Sequence, residues 1–148
     1  MNIRKATQAD YPPIMEIWES AVKATHDFLS DEDFDFFKIA IPRDYLPNLS
    51  VYVLEDKGDI PAFCSVSEDN LEMLFVDANN RGKGLGKILV QFVLDELNIY
   101  LVDVNEQNPQ AVGFYEKMGY QKTGRSETDG LGKPYPILHY KHLGSTQI

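Results

Sequence analysis

The chain has 148 residues, 43% of them apolar and 25% charged, and a formal net charge of −9. That length suits one domain around one hydrophobic core, and the acidic balance argues against nucleic-acid binding and favours a cationic co-substrate such as an amine, although solubility alone accounts for it. No apolar run approaches a membrane span, the N-terminus lacks a signal-peptide core, and the single cysteine, Cys64, excludes an internal disulfide and a thiolate metal cage; a cytoplasmic protein is expected.

Residues 2–6 read as a first strand. Thr7 or Asp10 can cap the next helix, and Pro12 and Pro13 fit its first turn, where N–H groups have no intrahelical partner. Ile14, Ile17, Trp18, Ala21 and Val22 recur at helical spacing, and residues 25–29 break that period as a loop. Ser30 with Asp33 three positions on predicts a second capped helix carrying Phe34, Phe37 and Ile41. Pro42 and Pro47 bracket a connection. Strands are expected at 49–55 and 60–67, joined by a hairpin turn at Asp56-Lys57-Gly58-Asp59, and then at 71–76. Cys64, inside the second of these, reads as a small packed residue rather than a nucleophile.

A helix ending near residue 96 places Leu85, Ile88, Leu89, Phe92, Val93 and Leu97 on one face. The nearly continuous apolar run 99–104 predicts a central strand. Ala111, Phe114, Tyr115 and Met118 form a further helical stripe, stopped by Gly119. Residues 120–127 and 136–142 read as a closing pair of strands. With no repeat or linker, one domain over residues 1–143 and a loose tail at 144–148 are expected.

Between the strand at 71–76 and the helix lies Arg81-Gly82-Lys83-Gly84-Leu85-Gly86-Lys87. Alternating glycines let the backbone curl and leave its N–H groups uncovered. The helix start adds partial positive charge, and Arg81, Lys83 and Lys87 add whole charges. The run is therefore an anion cradle suited to a phosphorylated cofactor. It is not a P-loop, because Ile88 follows Gly86-Lys87 and Arg81 stands where the first glycine belongs. It is not a dinucleotide fingerprint either, because Lys87 stands at the last glycine position.

The run does match R-x-x-G-x-G at Arg81, Gly84 and Gly86. Downstream, Asn108-Pro109-Gln110-Ala111-Val112-Gly113-Phe114-Tyr115-Glu116-Lys117-Met118-Gly119-Tyr120 fits N-x-x-A-x-x-x-Y-x-K-x-G-[FY]. Together these resemble the acyl-CoA loop and following segment of the GNAT family, the Gcn5-related N-acetyltransferases. Ala24-Thr25-His26-Asp27-Phe28-Leu29 and Leu131-Gly132-Lys133-Pro134-Tyr135-Pro136 resemble the family's YjaB-like bacterial branch. The resemblance implies an α+β fold: a mixed, mostly antiparallel sheet, flanked by helices, in which two parallel strands, at 71–76 and 99–104, splay apart. It implies acetyl-CoA as acyl donor, without a metal, and transfer of acetyl to a primary amine by direct attack in a ternary complex. The alternative is an acyl-CoA-binding regulatory module without turnover.

Under that resemblance the cofactor is bound by Leu74, Phe75 and Val76, by Arg81, Gly82, Lys83, Gly84, Leu85, Gly86 and Lys87, and by Asn108 and Tyr115. Asn108 also reads as a plain N-cap. Tyr115 is the expected general acid, a phenol of pKa about 10 facing a thiolate whose parent thiol sits near 8.5, against the alternative of a core tyrosine on the stripe with Ala111 and Met118. Glu72 is the candidate general base, directly or through a water, against the alternative of a solvent-facing strand residue. His26, Asp27 and Phe28, with the segment from Asp129 through Tyr135, are expected to shape the acceptor site, and His26, Phe28 and Tyr135 to touch the substrate. His26, His139 and His142 are too scattered for a metal site. The acceptor is read as a small-molecule amine or a peptide or protein amine, with neither nucleic acid nor membrane as partner. Homodimers are common in the family.

Overall fold

The computed structural model describes residues 1–25 and 27–143. The expectations for His26 and for a loose tail at 144–148 lie outside them. Seven strands form one sheet: β1 (Asn2–Lys5), β2 (Ser50–Asp56), β3 (Asp59–Val66), β4 (Asn70–Val76), β5 (Leu101–Asn105), β6 (Tyr120–Ser126) and β7 (Ile137–His142). Four α-helices accompany them among the described residues: α1 (Tyr11–Thr25), α2 (Asp31–Ala40), α3 (Leu85–Asp95) and α4 (Pro109–Lys117). The strand order is β1-β2-β3-β4-β5-β7-β6, and only the β4–β5 pair is parallel. The fold is thus mixed α+β, as the sequence predicts. No helix among the described residues is long and apolar enough to cross a membrane.

Local chemistry sets most boundaries. The β2–β3 hairpin turns at Lys57 and Gly58, with φ of 53° and 86°, the paired positive values that suit the strands' twist. Ser30 caps α2 by accepting the Asp33 N–H at 3.1 Å. Gly119, at φ 102°, ends α4 in the left-handed region. Asp10 accepts the Thr7 N–H at 2.8 Å and two guanidinium bonds from Arg4 at 2.9 Å. Those bonds, Arg4 first, hold its carboxyl down at about 2.

Two expectations shift. Pro42 and Pro47 do not mark a plain connection, because the chain keeps turning through a wide helical turn at Ile41–Tyr45 and a tight one at Leu46–Asn48. Each proline sits at the start of its turn, where no N–H is needed. Thr25 belongs to α1, and its hydroxyl donates to the Ala21 carbonyl at 2.8 Å.

Strand alternation divides the core between the two faces of the sheet. Val51, Val53 and Phe63 pack with Ile14, Trp18 and Ile41. Leu54, Ala62 and Cys64 pack with Leu89, Val93 and Tyr115 on the other face. Cys64 is fully buried, and burial pushes its thiol up to about 12, so it is the packed residue expected.

β4 breaks the alternation. Ser65 pairs with Met73 but Val66 pairs with Leu71, so Glu72 is an extra, bulged residue. In consequence Leu71 packs on the α3–α4 face while Met73 and Phe75 pack on the α1–α2 face. β4 and β5 share only two register pairs, Asn70↔Leu101 and Leu71↔Val102. Beyond these the strands part, and the fork lies beside the bulge.

Candidate active site

The glycine turn lies between β4 and α3, and its glycines do different work. Gly82 and Gly84 sit at φ 80° and 79°, which L side chains rarely adopt. A Cβ on either would meet nothing within 4 Å, so the turn is open above them. Gly86 has ordinary φ, but a Cβ there would come within 3.3 Å of the Phe114 ring. It supplies close packing of α3 on α4 rather than a turn.

Among the described residues, no backbone N–H from Gly82 to Lys87 donates a hydrogen bond. These include the orphan donors of the first turn of α3. The turn borders a cleft of about 360 Å³ lined by Leu74, Phe75, Val76, Arg81, Gly82, Gly84, Leu85, Gly86, Lys87, Asn108 and Tyr115. Lys83 is the one residue of the expected cofactor set that does not line it; its ammonium donates instead to Asn80 Oδ1 at 3.0 Å. The Arg81 guanidinium donates to Gln110 Oε1, which ties the glycine turn to α4.

Asn108 is 7% exposed and caps α4, its Oδ1 accepting the Ala111 N–H at 3.2 Å. Its amide nitrogen has no partner among the described residues and remains available to a ligand. The two sequence readings of Asn108 therefore use different atoms. Tyr115 is also 7% exposed, between the rings of Phe114 at 5.0 Å and Tyr120 at 5.4 Å. Burial, with Tyr120 and Cys64 close by, pushes its phenol well above the ordinary value.

A cavity of about 100 Å³ fills the fork between β4 and β5. Tyr115, Asn108 and Leu74 line both it and the cleft. Glu72, Met73, Asp103 and Asn105 line both it and a third space of about 510 Å³ on the α1–α2 face. Phe75 lines all three. The larger cavity is walled by aromatic residues, Phe28 and Tyr135 among them, and carries four carboxylates, Asp44, Glu72, Asp103 and Asp129, with no lysine or arginine. Phe28 and Tyr135 stand 6.1 Å apart, ring to ring.

Glu72 is not in the apolar frame that the run 71–76 suggests. The bulge turns it to an exposed position, where Oε2 accepts from the Ser67 hydroxyl at 2.8 Å and the Asn70 amide at 3.0 Å. It still borders the fork.

The sequence reading missed Phe114, Asp103 and Asp44 as residues of the site, whereas Asp129 and Tyr135 lie where it expected the acceptor to be shaped. Asp103 carried a signal, as the one acid inside the apolar run 99–104. It also missed a clamp that holds Tyr135, a residue of the large cavity's wall. Asp33, at the start of α2, accepts from the Lys133 ammonium at 2.8 Å and from the Tyr135 hydroxyl. These bonds, Lys133 first, hold the Asp33 carboxyl below its ordinary range. A depressed folded-state value stabilises the clamp above pH about 4, and this stabilisation fades as pH falls through that lower value. Asp33→Ala is expected to speed amide exchange across residues 129–135 at pH 7 and to remove its acid dependence. Unchanged exchange would show that the segment is held by other contacts.

The GNAT acetyltransferase domain profile matches residues 47–122, which span the fork, the glycine turn and α4. The chain is a GNAT acetyltransferase. It is 40% identical over 146 residues to the peptidyl-lysine N-acetyltransferase YjaB of Escherichia coli, covering 98% of this chain and 99% of that one. The same-named protein of Salmonella typhimurium is 41% identical, covering 94% and 96%. The solution structure of apo YjaB from E. coli aligns over 97% of this chain and 98% of its own, with TM-score 0.87 at 39% identity. The PaiA N-acetyltransferase of Thermoplasma acidophilum, in complex with coenzyme A, shares the fold at TM-score 0.72 and 18% identity, over 95% and 98%. This acetyltransferase is an acetyl-CoA-dependent N-acyltransferase, and its acceptor is an amine. Acetyl-CoA fits what the cleft offers: unpaired N–H groups and cations for a diphosphate, and a narrow fork leading from them to Tyr115. No group of metal-binding side chains occurs among the described residues.

Proposed function

We propose that the enzyme acetylates lysine side chains of peptides or proteins, with the donor in the glycine-turn cleft and the lysine entering through the acidic, aromatic cavity. One observation carries this reading: the fork joins the two spaces, with Tyr115 on the cleft side and four carboxylates on the other. An alkylammonium suits carboxylates at its head and aromatic faces along its stem. The name borne by the YjaB relatives points to the same acceptor.

Acetyl-CoA, when bound, supplies an activated acetyl thioester. The amides of Gly82 to Lys87, with Arg81 and Lys87, hold its diphosphate. Asn108 Nδ2 and the unpaired edge of β4 at Leu74 to Val76 hold its arm. Phe28 and Tyr135 steer the acceptor. Glu72, directly or through a water bound to it, removes the amine proton.

Tyr115 hydrogen-bonds the departing sulfur. Its part differs from a simple matched proton donor. Transfer from a phenol near 10 to the conjugate base of a thiol near 8.5 runs uphill by about 2 kcal/mol, and burial widens the gap. The phenol therefore stays protonated and stabilises negative charge as it develops; proton delivery follows once the amine has lost its own.

The test is coenzyme A release in the presence of lysine-containing peptides, with mass spectrometry to locate the acetyl group. Acetylation of the lysine ε-amine is expected. Acetyl-CoA binding with no turnover on any amine would leave a silent binding module. Turnover only on free small amines would remove the peptide acceptor.

A further inference from the structure

Glu72 and Asp103 are the first residues beyond the last β4–β5 pair, Leu71↔Val102. Both border the fork and the acceptor cavity. They are held very differently. Glu72 sits on a bulge and bonds only within its own turn, to Ser67 and Asn70. Asp103 sits in a regular strand and is braced across the sheet.

The brace is a line of three residues on three adjacent strands. Asp103 on β5 lies opposite His139 on β7, and His139 Nδ1 stands 2.7 Å from Asp103 Oδ1. On the other side, His139 Nε2 stands 2.7 Å from the Ser126 hydroxyl on β6. Gly124 is the register partner of His139, and a Cβ there would lie 3.6 Å from the imidazole, in ordinary contact with it. With Nδ1–H donating to Asp103 and Nε2 accepting from Ser126, both ring nitrogens of His139 are satisfied. The Asp103 and His139 side chains are 46% and 38% exposed, and so open a pair adds little to stability. Its effect is to fix one carboxylate oxygen. Asp103 Oδ2 has no partner among the described residues.

We propose that Asp103 anchors the cationic amine of the acceptor at the fork, and that His139 and Ser126 are positioning residues for it. The proposal rests on the acceptor reading above and names the group that binds the ammonium. A carboxylate with one oxygen locked by an imidazole presents the other in a fixed direction, at the narrow point shared with Tyr115 and Asn108. The exposed, locally tethered Glu72 is then free to serve the proton rather than the grip.

The experiment is steady-state kinetics with a lysine-containing peptide, varying peptide and acetyl-CoA separately. Asp103→Asn is expected to raise the peptide KM at least about tenfold and leave the acetyl-CoA KM unchanged. Glu72→Gln is expected to act mainly on kcat. His139→Leu is expected to raise the peptide KM severalfold, whereas His139→Asn, whose amide can occupy the place of Nδ1–H, restores it; a purely structural role for His139 gives no such rescue. Should Asp103→Asn fail to fold, the His139 pair decides alone. A peptide KM within twofold of the parent in Asp103→Asn, or equal effects of the two His139 variants, overturns the proposal. A parent enzyme with no peptide turnover overturns the acceptor reading instead.

Discussion

Tyr115→Phe is expected to lower kcat by roughly 100-fold, the lower end of what a positioned acid contributes, and to leave acetyl-CoA affinity within about twofold. The structure makes this a clean substitution. The phenol oxygen has no hydrogen-bond partner among the described residues, so its removal strands no donor or acceptor. The ring, wedged between Phe114 and Tyr120, loses none of its packing. The melting temperature should therefore hold or rise slightly, and a fall in kcat reports on the reaction. Rapid-quench measurement of the first turnover separates the acetyl-transfer step from product release. If that step proceeds at the parent rate in the phenylalanine variant, the hydroxyl takes no part in expelling the thiolate.

The parts of this site legible in the sequence are those built from local backbone chemistry. The alternating glycines, the Asn108 cap and the Ser30 cap each solve a problem within four residues, and residue type announces the solution. The splay of β4 from β5 is different. It follows from pairing over two residues only, and no periodicity in 71–76 or 99–104 encodes where pairing stops; the family resemblance supplied it. The bulge at Glu72 is equally silent, and it inverts the expected facing of everything before it, because strands repeat every two residues. The clamp beside the aromatic cavity joins Asp33 to Tyr135, 102 positions apart, so only tertiary contact reveals it. The fate of the cations was also hidden. Arg81 and Lys83 look alike beside the glycines, yet Lys83 is held away on Asn80, while Arg81, tied to Gln110 through one nitrogen, still lines the cleft with Lys87.

Gly84→Val should weaken acetyl-CoA binding by about 10- to 100-fold, read by calorimetry. The argument is one of backbone geometry, because a Cβ at this position meets nothing within 4 Å. Gly84 is the left-handed N-cap of α3, at φ 79° and ψ 14°. A β-branched residue held there costs on the order of 1–3 kcal/mol, and each 1.4 kcal/mol is about a tenfold change in affinity. The chain escapes that strain by rotating φ to negative values, which swings the flanking peptide planes and scatters the N–H groups converging on the cleft. Gly84→Ala, with less bulk at Cβ, should show a smaller loss. Gly86→Ala separates geometry from crowding: its φ is ordinary, and its methyl would press on Phe114, the neighbour of Tyr115, so turnover should suffer more than binding. If acetyl-CoA binds Gly84→Val as tightly as the parent, the diphosphate does not rest on these amides, and the cleft has been assigned to the wrong ligand.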